Sequence, residues 1–267
     1  MAQEKWLVDG PKVIDIDGIR KLKVGLIAGQ VNIVGHDEPG VRVEVNSVSG
    51  RDLKITVDGD TLGIDHVQLG WDNFIDVFKS FRGSARVDVS VQVPRDILLT
   101  FGVISASALI TGLTADASIS TVSGDVVVDS VSGDVQLNAV SGELSVLDHA
   151  GSIFAHTISG DITAAGPILR FTGDTVSGDV FLDLAGMPDA VRINTVSGST
   201  TTRLEPEVAA KYTINTVSGR IQLDQNEIRG VRGNYAGKFG TLEKAWLDFK
   251  ANTVSGNISV VHAVVKA

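Results

Sequence analysis

The 267-residue sequence contains no cysteine. That absence excludes disulfide staples, thiolate metal sites and cysteine nucleophiles. Aromatic residues are scarce, at 5%, so the core has to be built from aliphatic side chains. Positive charge is in short supply: 23 Lys and Arg stand against 32 Asp and Glu, a formal charge of −9. Phosphate backbones need a basic surface, so nucleic acid is excluded as a partner. No apolar run approaches the length of a membrane-spanning helix. The first ten residues, Met1–Gly10, hold no basic start followed by an apolar run, so the sequence predicts no secretory signal and a cytoplasmic location, with peripheral envelope association as the other reading.

What is present is a hydrophobic fraction of 43% and 29 glycines, enough apolar material for a core. Many of the glycines belong to one repeat. Val122-Ser-Gly-Asp-Val, Val131-Ser-Gly-Asp-Val, Val140-Ser-Gly-Glu-Leu, Ile158-Ser-Gly-Asp-Ile, Val176-Ser-Gly-Asp-Val, Val196-Ser-Gly-Ser-Thr, Val217-Ser-Gly-Arg-Ile and Val254-Ser-Gly-Asn-Ile are copies of it. Their glycines fall at multiples of nine or close to them, with Gly151 on a missing step and Ala115 and Ala106 continuing the register backwards.

After each glycine the pattern has period two. Val126/Val128, Val135/Leu137, Leu144/Val146, Ile153/Ala155 and Ile162/Ala164 are apolar, and the residue between them varies. That is a short strand with one buried and one exposed face. The Val or Ile before each Ser reads as a third inward anchor. Ser-Gly supplies the bend. The best copies recur at 18, so two nine-residue halves make one coil.

The expected fold is all-β: a single-chain β-solenoid with nine-residue strand-turn repeats and about 18 residues per coil. Such a fold buries its apolar face only by stacking coil on coil. An antiparallel meander of the same units is the alternative. Residues 1–100 read as a less regular β region continuous with the solenoid. Strands are expected over 12–17, 21–25, 30–34, 41–45, 53–57 and 86–93. Residues 101–267 read as the regular array, with a Gly-rich loop insertion near 225–250.

One segment departs from this pattern. Trp71, Phe74, Ile75, Phe78 and Phe81 fall at helical spacing, opposite Asp72, Asp76, Lys79 and Arg82. A short amphipathic helix over 71–82 is expected, covering the β core or serving as an interaction surface. Its charged face is balanced, which disfavours membrane contact.

Residues 121–200 hold ten acids and two bases, so nearly all the excess charge lies there. In an 18-residue coil, Asp125, Glu143, Asp161 and Asp179 would stack along one edge. A calcium-stabilised roll is one reading, but one acid per turn supplies too few oxygen ligands. The simpler expectation is carboxylates that face water and accept from backbone amides at the corner. The Gly-rich, basic stretch Arg229–Gly240 lacks the spacing of a phosphate loop. His149 and His156 read as lone surface residues, and no Ser has a His partner in the repeat. No catalytic residue, cofactor or metal site is assigned, and the chain is expected not to be an enzyme.

The Thr-Val-Ser-Gly-Asp-Val units, the Arg86-Val-Asp-Val-Ser-Val-Gln-Val-Pro94 strand and the late Gly-rich loop together resemble a bacterial "putative adhesin" domain family of unknown function, also called toastrack-type. The resemblance spans roughly residues 20–265. It implies a β-helix-like fold, no known catalytic residues, and, for some membrane-anchored relatives, a link to envelope stress sensing. The function expected is a β-repeat scaffold or protein-interaction module, with an unidentified protein partner or self-association through the solenoid ends. An adhesin-like or carbohydrate-binding surface protein is the alternative.

Overall fold

The computed structural model describes residues 4–66, 85–228 and 233–263. The chain forms two compact units, Met1–Gly133 and Asp134–Ala267. Among the described residues the regular elements are all strands. The segment 71–82, with Trp71, Phe74, Ile75, Phe78 and Phe81, lies outside the described residues.

The first unit holds β1 (Glu4–Val8), β2 (Lys12–Ile16), β3 (Lys21–His36), β4 (Val41–Ser49), β5 (Leu53–Asp58), β6 (Thr61–His66), β7 (Arg86–Pro94), β8 (Leu98–Thr111), β9 (Ala117–Thr121) and β10 (Val126–Asp129). The two strands expected over 21–25 and 30–34 are one strand, β3. It runs parallel to β8 from Lys21↔Leu98 to Val34↔Thr111. The first half of β3 pairs with β6 and the second half with β7. The halves of β8 likewise pair with β9 and β10. Each long strand therefore serves two walls. Antiparallel strands finish the edges: β1–β5–β6 on one wall and β2–β4–β7 on the other. Leu22, Val24, Val31, Ile33, Leu62, Val89 and Phe101 fill the space between, burial that supplies the main driving force for folding.

The second unit is more regular. Its strands are β11 (Ser132–Ser141), which begins at the unit boundary, β12 (Leu144–Leu147), β13 (Ala150–Ser159), β14 (Ile162–Gly166), β15 (Ile168–Ser177), β16 (Val180–Leu184), β17 (Ala190–Ser197), β18 (Thr200–Leu204), β19 (Ala210–Ser218), β20 (Ile221–Leu223), β21 (Asn226–Ile228), β22 (Gly233–Phe239), β23 (Leu247–Ser255) and β24 (Ile258–His262). Pairing along the stack is parallel, at an offset of 18 or 20 residues: Leu144↔Ile162↔Val180↔Thr200 on one wall and Ile153↔Phe171↔Val191 on the other. Parallel pairing overturns the meander alternative, whose neighbouring strands would run antiparallel.

The last coil breaks chain order. Strand β23 lies between β17 and β19, and β24 lies between β18 and β20. The coil of residues 247–262 thus fills a slot between two coils that are consecutive in sequence. The Gly-rich insertion makes this possible. It is not only a loop: β21 forms a hairpin with β20, and β22 runs antiparallel along the free edge of β19. The chain is thereby carried past β19 and back into the slot, and an open strand edge is covered.

The apolar pairs after each glycine are buried as expected, from Val126 and Val128 through Ile258 and Val260. The residue before Ser is an inward anchor only in the early copies, buried at Val131 and half-buried at Val122. Val140, Ile158, Val176, Val196, Val217 and Val254 are 45–63% exposed. The threonine one position earlier takes the inward place: Thr157, Thr175, Thr195, Thr216 and Thr253 are buried. Strand alternation is the reason. Side chains of successive residues point to opposite faces, so an inward threonine forces its valine outward.

Candidate functional site

The outward residues of the second unit form columns, because parallel register places equivalent positions beside one another. Along β15, β17, β23 and β19, Thr175, Thr195, Thr253 and Thr216 are in register. The residue after each is the exposed Val176, Val196, Val254 or Val217, and the residue before each is Asp174, Asn194, Asn252 or Asn215. Between the valine and amide columns runs an open groove of about 490 Å³, also lined by His156 and Gly233.

The amide column is a continuous hydrogen-bond ladder. Asn234 Nδ2 donates to Asn215 Oδ1 (2.9 Å). Asn215 then donates to Asn252, Asn252 to Asn194, and Asn194 to Asp174, each at 2.7 Å. Asn215, Asn252 and Asn194 thus each give one bond and receive one, with Asn234 as the starting donor. The ladder ends on a carboxylate, which only accepts. Its spatial order follows the stack, not the chain, since Asn252 is inserted between Asn194 and Asn215. Each carboxamide keeps a second N–H and a second lone pair, so the column presents donors and acceptors at one-rung spacing, about 4.8 Å.

The corner acids have a local task. Asp161 Oδ1 accepts from the Asp179 amide (2.8 Å), and Asp179 Oδ1 accepts from the Ser199 amide (2.7 Å). Asn257 does the same for Arg220 (3.2 Å). At these corners the side-chain oxygen of Asp161, Asp179 or Asn257 caps the amide of a neighbouring rung, the backbone bonding expected of the corner acids. Among the described residues, no three metal-ligating side chains converge.

Histidines depart from expectation. His156 is exposed beside the groove, but His149 is fully buried. His66 and His262 are buried too. His66 Nδ1 accepts from the Ile27 amide (3.2 Å). Burial, reinforced by the Arg51 cation, lowers its pKa to about 4, because charge is disfavoured away from water. His262 Nδ1 meets Asp224 Oδ1 at 2.9 Å and its Nε2 meets the Val208 carbonyl at 3.0 Å. Its ring stacks on Phe239, centroids 3.8 Å apart. Both ring nitrogens therefore lie within hydrogen-bond distance of an oxygen. These contacts pin the intercalated coil at its end. Sequence reasoning missed the ladder entirely. The signal was there: an Asn or Asp two residues before the repeat valine at positions 174, 194, 215 and 252.

Stacked two-strand coils with columns of equivalent residues define an all-β repeat protein. The chain belongs to the Toastrack DUF4097 family, whose model matches residues 19–261. Among solved structures it is similar to a "putative cell adhesion protein" from Clostridium sporogenes, at 13% identity over 95% of this chain and 100% of that one, with a TM-score of 0.30. It is also similar to a "putative lipid binding protein" from Parabacteroides distasonis (10% identity, 95% of each chain, TM-score 0.39). A third is a "putative adhesin" from the same organism (13% identity, 97% of each chain, TM-score 0.39). No curated protein matches the sequence. No described helix is long and apolar enough to cross a membrane.

Proposed function

We propose that the protein is a non-enzymatic β-solenoid scaffold of the adhesin type, and that the groove of its second unit is the surface on which it holds a protein partner. The observation that carries this reading is the valine column, which stays half exposed beside an unbroken amide ladder. Aliphatic side chains in a contiguous exposed row mark interaction surfaces, and the amides beside them add directional hydrogen bonds. The working location proposed is the cytoplasm, with peripheral contact at the envelope.

A photo-crosslinking residue placed at Val196 or Val254 tests this in cells. Adducts of defined mass are expected from those two positions and not from Leu147, which is exposed away from the groove. Equal labelling from all three, or none from any, would remove the groove from the account.

A further inference from the structure

Strands β17, β23 and β19 share one register, and so do β18, β24 and β20. Ile193, Ala251 and Ile214 stand in line, as do Asn194, Asn252 and Asn215, and Thr195, Thr253 and Thr216. On the other wall Thr200, Ile258 and Ile221 align, followed by Thr202, Val260 and Leu223. With the middle rung taken out, the outer two still match without a change of register. Val191 would meet Tyr212, Ile193 would meet Ile214, and the amide ladder would pass from Asn215 to Asn194. Gly219 backs onto Gly256 as Gly256 backs onto Gly198, so the corner would again close glycine on glycine. One contact improves. Arg192 stands beside Lys250 in the slot and would stand beside Thr213 without it. Like charges in register on adjacent strands are unfavourable, here moderated by the Asp248 carboxylate 2.6 Å from Lys250 Nζ.

We propose that the coil of residues 247–262 is a removable rung. The chain has a second, closed order in which β19 lies directly on β17 and β20 on β18, and the last coil enters afterwards by opening that joint. Chain order favours this sequence of events. Residues 210–223 precede residues 247–262, and the free edge of β17 pairs with the first matching strand that reaches it. The tether allows the coil to leave, because residues 240–246 lie outside the strands and are mostly exposed. Two things hold the coil in: the burial of Leu247, Phe249, Ile258 and Val260, and the grip of Asp224 and the Val208 carbonyl on His262. Exchange passes through an open slot in which β17 and β19 both lack a partner, a local opening of the kind that precedes global unfolding. In the closed order the groove is one rung shorter and lacks Val254. The inference stands on register and does not depend on the partner proposed for that groove.

Disulfide trapping in the full chain tests it, since the sequence holds no native cysteine. Positions 194 and 215 are two rungs apart, about 9.6 Å, beyond the limit of about 7 Å between bridged Cα atoms. In the closed order they are adjacent. Asn194→Cys/Asn215→Cys should therefore cross-link when oxidant is added early in refolding, and not once folding is complete. Thr216 is buried on the opposite face, so Asn194→Cys/Thr216→Cys should stay open at the same early time, which separates rung pairing from chance collision. Asn194→Cys/Asn252→Cys should cross-link in the folded protein, showing that substitution at 194 is tolerated. A chain carrying the 194–215 bond should lose hydrogen-exchange protection across residues 247–262 and keep it in β17 and β19. Absence of the early 194–215 bond overturns the inference. So does equal early cross-linking of the 194/215 and 194/216 pairs, or full protection of residues 247–262 in the cross-linked chain.

Discussion

Gly256 lies with its Cα against the carbonyl of Gly198, so close that a Cβ on Gly256 would stand 1.9 Å from that oxygen. Gly219 in turn backs onto the carbonyl of Gly256 at 2.0 Å by the same measure. The corner glycines therefore stack 178, 198, 256, 219, and the last coil of the chain is an interior rung. Glycine is required at Gly256 by the closeness of the neighbouring backbone, which cannot yield as a flexible side chain would.

Gly256→Ala is therefore expected to be among the most damaging single changes, costing about 3 kcal/mol or more, the upper end for overpacked core sites. Denaturant unfolding measures it. Gly59→Ala has nothing within 4 Å of the added methyl but sits at φ +62; its cost should come from backbone strain alone, about 1 kcal/mol.

The intercalated coil has Leu247, Phe249, Ala251, Ile258 and Val260 buried. Phe249 also meets Tyr212 edge-on, centroids 6.0 Å apart. Phe249→Ala should cost about 3–5 kcal/mol. Hydrogen exchange should show β17 and β19 losing protection together, because each has β23 as a ladder partner.

The repeat threonines differ in what their hydroxyls do. Thr121 Oγ1 accepts from the Gly124 amide at 2.9 Å. Buried Thr195 and Thr253 hydroxyls have no hydrogen-bond partner. Valine has the same shape without the polar atom. Thr195→Val and Thr253→Val should each raise stability by about 1 kcal/mol, and Thr121→Val should lower it by a similar amount. Melting temperatures of the three variants give the signs directly.

The amide ladder has a direction. Asp174 only accepts, so Asp174→Asn keeps the bond from Asn194 and should change stability little. Asn252→Asp removes the donor to Asn194 and sets oxygen against oxygen, and should cost about 1–2 kcal/mol. Urea midpoints of the two variants decide it.

His66 makes the first unit sensitive to acid. Its folded pKa, about 4, lies below the unfolded value of 6.5. Between those values the unfolded chain binds a proton that the folded one refuses. The stabilising difference is present above pH 6.5 and is lost as pH falls to about 4, on the order of 3 kcal/mol in all. Asp65, whose pKa burial raises despite the opposing Lys54 and Lys5 cations, works the other way in the carboxylate range. His66→Asn keeps an acceptor for the Ile27 amide and should flatten the slope between pH 6.5 and 4 in stability measured against pH.

Much of this architecture follows from the sequence alone. The period-two pattern after each Ser-Gly assigned Ile162 and Ala164, or Val180 and Leu182, to the core because strand alternation leaves no other face. The 18-residue recurrence likewise set which residues sit beside one another. Apolar character predicts burial for the repeat valines, which holds at Val131 and fails from Val140 onward; only the neighbouring inward residue, and the strand geometry that turns it inward, settles the sides. Tertiary structure alone decided the order of the last coils. Thr216-Val-Ser-Gly and Thr253-Val-Ser-Gly are nearly interchangeable strings, and either rung would satisfy the local hydrogen bonds of the slot. What separates them is long-range: β22 pairs with the outer edge of β19, and His262 is held by Asp224 and the Val208 carbonyl. Those contacts join residues 38 and 54 apart, and no local pattern encodes them.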